Sequence, residues 1–362
     1  MLVRSAGVKT WLYHWLRALR ACDPAVLSFL EPPSGALRHS VGVMANGPRV
    51  AALQFLNHMP SAVVDRFVPR CEIFHASNLL RVLPNRPLLS TTLHDLTAWV
   101  TPQFHRSAQV AADRAFADHV LHPAAGIIAV SESTRSDAVR ILRLNPEKIR
   151  VIYPGVPDSY FCVSPDNFRQ AADFYGLAEK YFLYIGTIEP RKNIDTLLAA
   201  WMSLPSAFRH EHELVLAGMP GWNCGPTLHR LKELTRKRSR IRYLGYVSES
   251  LAPSLTAGAL AMVYPSFYEG FGIPVAQAMA AGCPVITSNV SSLPEITGDA
   301  ALLVDPRSVA GLAGAITQMG ESSELRQKHK VAGLKRSRMF TWQAAAERSM
   351  EFFLGLSGSS PV

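Results

Sequence analysis

The sequence predicts an α/β protein of two doubly wound domains, each a parallel sheet with helices on both faces. Three observations carry this. At 362 residues the chain is long enough for two cores of ordinary size. Short apolar runs alternate with amphipathic helical stretches along most of its length. Polar residues recur just after the apolar runs, and open α/β sheets bind ligands outside the carboxyl ends of their strands.

Composition narrows the class. A hydrophobic content of 48% with 18% charged residues describes a globular chain. No apolar run reaches the roughly 18 residues of a membrane helix, and the N-terminus lacks a signal-peptide pattern, so a cytoplasmic protein is expected. The five cysteines, Cys22, Cys71, Cys162, Cys224 and Cys283, are widely spaced and odd in number. They predict small buried thiols rather than a disulfide framework or a zinc site. A net charge of +9 calls for an anionic partner: nucleotide, phosphate, anionic lipid or nucleic acid. The densest basic cluster, Arg236-Lys237-Arg238 with Arg240, has no nucleic-acid module around it and reads as a solvated helix end. No nucleic-acid partner is expected.

In order, the chain opens on an amphipathic helix, Thr10 to Ala21, with Trp11, Leu12, Trp15, Leu16 and Leu19 on one face. Core packing is the expected role of that face, and a basic, Trp-rich membrane-surface helix is the alternative. No hydrophobic strand precedes it. Either the first strand of the domain is missing or the true start lies upstream. Val41–Met44, Cys71–Phe74 and Leu88–Leu93 read as strands, the last two followed by His75 and by His94-Asp95. Ala124–Val130 reads as a buried strand leading through Ser131, a helix cap, into a helix over 134–144. His75, Ser131 and Arg135 thus fall at strand ends, although capping explains Ser131 equally well. Ile149–Ile152 and the turn-rich Tyr153–Pro157 close this half, placing a first domain at 1–157.

The alternation restarts with strands at Tyr181–Ile185, Glu213–Ala217, Ile241–Leu244, Ala259–Tyr264, Pro284–Thr287 and Ala300–Val304. Helices are expected over Asn193–Met202 and within Gly221–Arg238, giving a second domain at 158–340. A helix from Gln343 to Leu354 and a frayed tail from Gly355 complete the chain, as a third segment at 341–362.

Two stretches carry the chemistry. Tyr264–Gly282 reads as strand, glycine turn and helix, with Glu269-Gly270-Phe271-Gly272 as the turn and Pro274 in the first helical turn. That order puts backbone N–H groups and the positive end of a helix dipole at one spot, which suits a sugar phosphate; Glu269 can accept hydrogen bonds from its hydroxyls. Tyr181–Asn193 repeats the arrangement: a strand, Gly186-Thr187, then Arg191-Lys192 before a helix capped by Asn193, again presenting cations at a βα junction. Each residue also has a plainer reading. Glu269 can brace its turn, His94 can satisfy a strand end, Arg191 can be a surface cation, and Trp222 can serve packing.

The motifs IGTIEPRKN, YPSFYEGFGIPVAQAMAAGCPVITSNVSSLPEITGDAALLVDP, TTLHDL and IIAVSESTRSD…IRVIYPGV resemble the retaining glycosyltransferases of family 4, which have the GT-B fold. Within it they resemble the mannosyltransferase-like group of bacterial polysaccharide assembly, and the likeness runs from Ala6 to Phe352. The resemblance implies two Rossmann-like domains facing across a cleft, the N-terminal one for the acceptor, the C-terminal one for a nucleotide-sugar donor. The last helix would cross back onto the N-terminal domain. It implies that Arg191 and Lys192 meet the donor diphosphate beside Gly186 and Thr187, and that the backbone at Gly270, Phe271 and Gly272 meets sugar and phosphate. Glu269 and His94 would flank the donor sugar from opposite domains, and Tyr246 and Val247 would pack on the base.

The chain departs from the family pattern where a second acid is usual, eight residues after Glu269: Gln277 stands there. An amide accepts a ribose hydroxyl less strongly than a carboxylate, by on the order of 1 kcal/mol, which predicts nucleotide affinity lower by about tenfold. Thr187 stands where many members carry a phosphate-binding Arg. No Asp-x-Asp pair occurs, so no metal is expected and the cations and helix N-terminus would stabilise the leaving group. The resulting expectation is a retaining, metal-independent transfer of a hexose from a nucleotide sugar, GDP-mannose, to a saccharide or lipid-linked acceptor, with peripheral contact at an anionic membrane. The alternative is a catalytically weak or inactive homologue acting as a scaffold; an epimerase or phosphorylase of the same fold lacks supporting motifs.

Overall fold

The computed structural model describes residues 6–22, 63, 65, 71–76, 83–85, 87–164, 171–237 and 239–358. The expected strand at 41–44, any element preceding the first helix, and the end of the expected tail lie outside these. The chain divides into two compact units. One holds the described residues up to Ala98, Ser107–Gly155 and the segment from Thr341; the other holds Trp99–Arg106 and Val156–Phe340. The linear division expected from sequence therefore misses one excursion: Trp99–Arg106 packs with the second unit. There the Phe104 ring stacks on Phe267 with centroids 5.5 Å apart, and Trp222 Nε1 donates to the Phe104 carbonyl at 2.7 Å. Trp222 is thus a packing residue in this structure.

Among the described residues, the first unit holds α1 (Ala6–Cys22) and four parallel strands, in the order β1 (Ile73–Ala76), β2 (Leu88–Leu93), β3 (Gly126–Ala129) and β4 (Ile149–Val151). β3 is buried along its whole length, as the continuous apolar run requires of a strand covered on both faces. After it, Ser131 Oγ accepts from the Thr134 N–H at 3.0 Å and starts α2 (Glu132–Leu142), so capping is its observed role. Arg135 pairs one turn back with Glu132 at 3.4 Å.

The second unit contains a six-stranded parallel sheet. Its strands and longer helices in chain order are β5 (Tyr181–Ile185), α3 (Ile194–Ser203), β6 (Glu213–Ala217), α4 (Gly225–Arg236), β7 (Ile241–Gly245), β8 (Ala261–Tyr264), α5 (Ile273–Ala280), β9 (Val285–Ser288), β10 (Ala301–Val304), α6 (Val309–Glu321) and α7 (Ser323–Ser337). The strand order is β10-β9-β8-β5-β6-β7. Because β5 pairs with β8, the two motif-bearing junctions, some 70 residues apart in sequence, end side by side.

The last helix, α8 (Trp342–Ser357), returns to the first unit and packs along α1. Trp11, Trp15 and Leu19 are buried there with Ala345, Ala346 and Phe352, and Trp15 Nε1 donates to Ser349 Oγ at 3.0 Å. This overturns the membrane-surface reading of α1, since its Trp-bearing face is core; each such side chain stabilises by about 1.5–3 kcal/mol. The expected fraying from Gly355 is also corrected: the helix continues to Ser357 and stops at Gly358, in the left-handed region with φ +73°. Only Cys224 and Cys283 are buried thiols; Cys22, Cys71 and Cys162 are exposed, and all five are free. Burial pushes the Cys283 thiol up to about 12.

His75 lies within β1 rather than after it. Its ring bridges Ser90 Oγ at 2.9 Å and Thr92 Oγ1 at 3.0 Å on β2, and packs against Trp15 and Phe353. His94 meets Trp11 edge-on at 4.7 Å. Burial, aided by the neighbouring His94, lowers His75 to about 3; burial outweighs the pull of Asp95 and lowers His94 to about 4. Both rings stay neutral in the fold while the unfolded chain takes up protons below its ordinary value of about 6.5. The stability they contribute is therefore intact above that value and lost as pH falls through about 4 and then about 3. The unfolding midpoint should drop on the order of 5–10 °C across this acid range, and His75→Gln should flatten the drop. An identical acid dependence in wild type and variant would show that His75 is not responsible.

Candidate active site

At the carboxyl end of β5 the chain turns at Gly186-Thr187 and enters a single 3-10 turn, Pro190–Lys192. At the end of β8 it runs through Pro265 and Ser266 to the Glu269–Gly272 turn and then α5. Two hydrogen bonds to one main-chain carbonyl lock the two junctions together: the Phe267 N–H donates to the Arg191 carbonyl at 2.9 Å, and Ser266 Oγ donates to the same carbonyl at 3.1 Å.

A buried ionic cluster forms at this seam. Lys192 Nζ lies 2.6 Å from Glu269 Oε1 and 2.7 Å from the Tyr264 hydroxyl. Arg191 reaches Glu269 Oε2 at 3.1 Å, Glu189 Oε1 at 2.8 Å and the Tyr268 carbonyl at 2.7 Å. Two cations thus face two carboxylates, all four nearly excluded from solvent. Burial alone would raise the Glu269 carboxyl, but Lys192 and Arg191 beside it hold it at about 2, so it is charged at neutral pH. Burial pushes Glu189 up, against the pull of Arg191 and Lys192. Burial, with Arg191 adding to it, lowers Lys192 despite Glu269 and Glu189.

The structure thus brings Arg191, Lys192, Glu269 and the Gly270-Phe271-Gly272 turn together. It gives Arg191 a role the sequence did not: both terminal nitrogens are engaged by the protein, so this guanidinium braces Glu269 and ties the two junctions. Glu189 and Tyr264 are site residues that sequence reasoning passed over. Their signals were present, Glu189 as a carboxylate two residues before Arg191 and Tyr264 as the polar end of an apolar strand. Asn193 is also reassigned. With φ +59° its side chain makes no helix cap; its amide donates to the Pro265 carbonyl at 2.9 Å and the Pro306 carbonyl at 2.6 Å, stitching together the loops after β8 and β10.

The glycine turn is held from behind by two serines. Ser291 Oγ accepts from the Glu269 N–H at 3.0 Å, and Ser292 Oγ lies 2.9 Å from the carbonyls of both Glu269 and Phe271. Gly272 initiates α5 at φ +98°, where a side chain would be strained. Gln277, half-buried on α5, makes no side-chain hydrogen bond among the described residues. On the β6–β7 side, Tyr246 is 65% exposed and Val247 half-buried, leaving a ring available at the rim of the unit. His94 belongs to the first unit and keeps the surroundings described there. Among the described residues, no group of three or more His, Cys, Asp or Glu is placed to hold a metal ion.

Comparisons with known proteins bear on this arrangement. Residues 5–160 match the family described as Glycosyltransferase Family 4, and residues 170–336 match Glycosyl transferases group 1. The O-antigen chain mannosyltransferase B of Escherichia coli is 36% identical over 283 residues, covering 78% of this chain and 74% of that protein. The chain is a family 4 glycosyltransferase. Its fold is GT-B, as two solved structures show. Sucrose-phosphate synthase from Thermosynechococcus elongatus aligns with a TM-score of 0.74 at 22% identity, over 98% of this chain and 95% of that one. HepE of Anabaena, solved with UDP and glucose, aligns with a TM-score of 0.68 at 19% identity, over 86% and 83%. In this glycosyltransferase the Lys192–Glu269 seam lies at the carboxyl ends of β5 and β8, where doubly wound sheets present their ligand sites.

Proposed function

We propose that the enzyme transfers a hexose, mannose from GDP-mannose, to a saccharide or lipid-linked saccharide in bacterial cell-surface polysaccharide synthesis, with retention at the anomeric carbon. The observation that carries the reading is Lys192, a buried cation held between Glu269 and Tyr264 beside a helix N-terminus. The donor diphosphate would compete with Glu269 for Lys192 and draw further stabilisation from the start of α5. Glu269, fully charged and braced by Arg191, would then accept hydroxyl hydrogen bonds from the donor sugar. Arg191 contributes positive potential and a fixed Glu269; Gly186 and Thr187 form the floor of the diphosphate site, and Tyr246 and Val247 the wall for the base. The likeness to an O-antigen mannosyltransferase supports mannose as the sugar and a surface glycan as the product. The leaving phosphate takes the acceptor's proton on the same face, with no metal required. An acceptor carried on lipid would bring this enzyme to the cytoplasmic membrane surface.

Calorimetric titration with GDP-mannose, UDP-glucose and their free nucleotides tests the reading. GDP-mannose should bind at micromolar affinity, and Gln277→Glu should tighten it about tenfold by restoring a charged acceptor for the ribose hydroxyls. If no nucleotide binds to folded protein and Gln277→Glu rescues nothing, the scaffold reading that Gln277 motivates takes over.

A further inference from the structure

The charges of the buried seam cancel. Arg191 and Lys192 bring two positive charges and Glu189 and Glu269 two negative ones, on side chains that are all 10% exposed or less. A donor diphosphate seated against Lys192 adds two more negative charges where water screens little, and a buried carboxylate escapes such an excess by taking up a proton. The two carboxylates are not equally placed to do so. Glu269 meets both cations, Lys192 at 2.6 Å and Arg191 at 3.1 Å. Among the described residues Glu189 pairs with Arg191 alone, at 2.8 Å, and burial already pushes its carboxyl up against the pull of Arg191 and Lys192, with Glu269 adding to the rise. Its other surroundings bring no cation. Tyr184 of β5 and Tyr264 of β8 are phenols that burial keeps neutral. The loop after β6 passes beside it: the Ile188 N–H donates to the Met219 carbonyl at 2.9 Å, and a Cβ on Gly221 would stand 3.3 Å from the Glu189 Cβ. No charged residue occurs from Met219 to Cys224.

We propose that Glu189 is a further working residue of the donor site, which takes up one proton from solvent as the donor diphosphate binds and so turns a neutral seam into a cationic one. The proposal rests on the reading of Lys192 as the cation that meets the diphosphate. When Lys192 turns to the phosphate, Glu189 loses one of the two cations that hold it charged and gains two negative neighbours. Both changes favour the carboxylic acid. The proton adds to a carboxylate oxygen and no other bond changes; the second oxygen still accepts from Arg191. Glu269 keeps its charge for the hydroxyls of the donor sugar. Binding that takes up a proton strengthens as pH falls. Between the value of the Glu189 carboxyl in the free site and its higher value in the loaded one, affinity should fall about tenfold for each unit that pH rises, and it should be level outside that window.

The test is calorimetric titration of the full chain with GDP-mannose in buffers of different ionisation enthalpy. Both phosphates of this ligand are esterified, so it lacks the terminal-phosphate ionisation at about 6 and takes up no proton itself. Wild type should take up close to one proton per donor bound within the window, and an infrared difference spectrum should gain the carbonyl band of a protonated carboxyl. Glu189→Gln keeps an oxygen for Arg191 and removes the titration. It should bind GDP-mannose with no proton uptake, no new carboxyl band and an affinity level with pH. Should that variant not fold, Glu189→Asp retains an acid and should move the pH at which uptake is centred. Donor binding to wild type without uptake overturns the assignment and leaves the donor site standing. So does uptake that persists in folded Glu189→Gln, or that Glu189→Asp leaves in place on the pH scale. If GDP-mannose does not bind folded wild type, the assignment falls together with the donor reading.

Discussion

Lys192→Met should cut sugar transfer by about 10²–10³-fold, the loss seen when one preorganised electrostatic donor is removed from a transition state. The argument starts from position. Lys192 Nζ sits 2.6 Å from Glu269 and 2.7 Å from the Tyr264 hydroxyl, buried, so its charge acts where screening by water is weak. Methionine keeps most of the stem and removes only the ammonium. Glu269 and Glu189 are then left with Arg191 alone, and the Glu269 carboxyl moves back up toward the ordinary range as one of its two cations disappears. A purely structural lysine would show its loss in the unfolding midpoint and in all ligands alike. A lysine on the diphosphate should weaken GDP and GDP-mannose while leaving guanosine nearly untouched. Equal weakening of nucleoside and nucleotide would move Lys192 out of the donor site.

Gly218→Ala should be the most damaging small substitution in the second unit. Gly218, just after β6, has φ +145°, and a Cβ there would stand 1.8 Å from the Gly186 carbonyl oxygen and 2.7 Å from its carbon. Its N–H donates to the Gly245 carbonyl at 2.7 Å, and its own carbonyl accepts from the Tyr243 hydroxyl at 2.8 Å. The turns after β5 and β6 and the end of β7 therefore meet at this one residue. Since the obstructing atoms are backbone, relief requires prising the Gly186 turn away from β6, at a cost of about 4–5 kcal/mol or more. A lowered unfolding midpoint and loss of nucleotide binding should appear together. A variant with wild-type stability and affinity would mean that the loops yield easily and do not form a fixed floor.

The sheet was largely legible because buried parallel strands are continuous apolar runs: β2, β5 and β6 match their sequence-based limits to the residue. The helices α6 and α7 were not picked out. In α7 the reason is physical, since Val331 and Leu334 put apolar residues on the solvent side and blur the helical period that marks a core-facing stripe. Glu269, Arg191 and Lys192 were found by residue type at βα junctions, but which cation would be engaged by protein depended on β5 lying beside β8. Ser291 and Ser292, which hold the glycine turn, come from the loop after β9, and nothing local in sequence connects them to Glu269. Asn193 misled because a capping residue type was placed at φ +59°, where its side chain reaches two distant carbonyls instead. The α1 face was ambiguous for a similar reason: an amphipathic helix shows its apolar stripe in sequence, while its partner, α8, lies some 330 residues away.

The most direct test is transfer itself. Purified enzyme would be given GDP-mannose and a membrane fraction of lipid-linked saccharides in the presence of a chelator, with released GDP quantified and the new linkage read by NMR. The account predicts GDP release matched by α-linked mannose, lost in Lys192→Met. Either GDP-mannose left intact under these conditions, or a β-linked product, would contradict it.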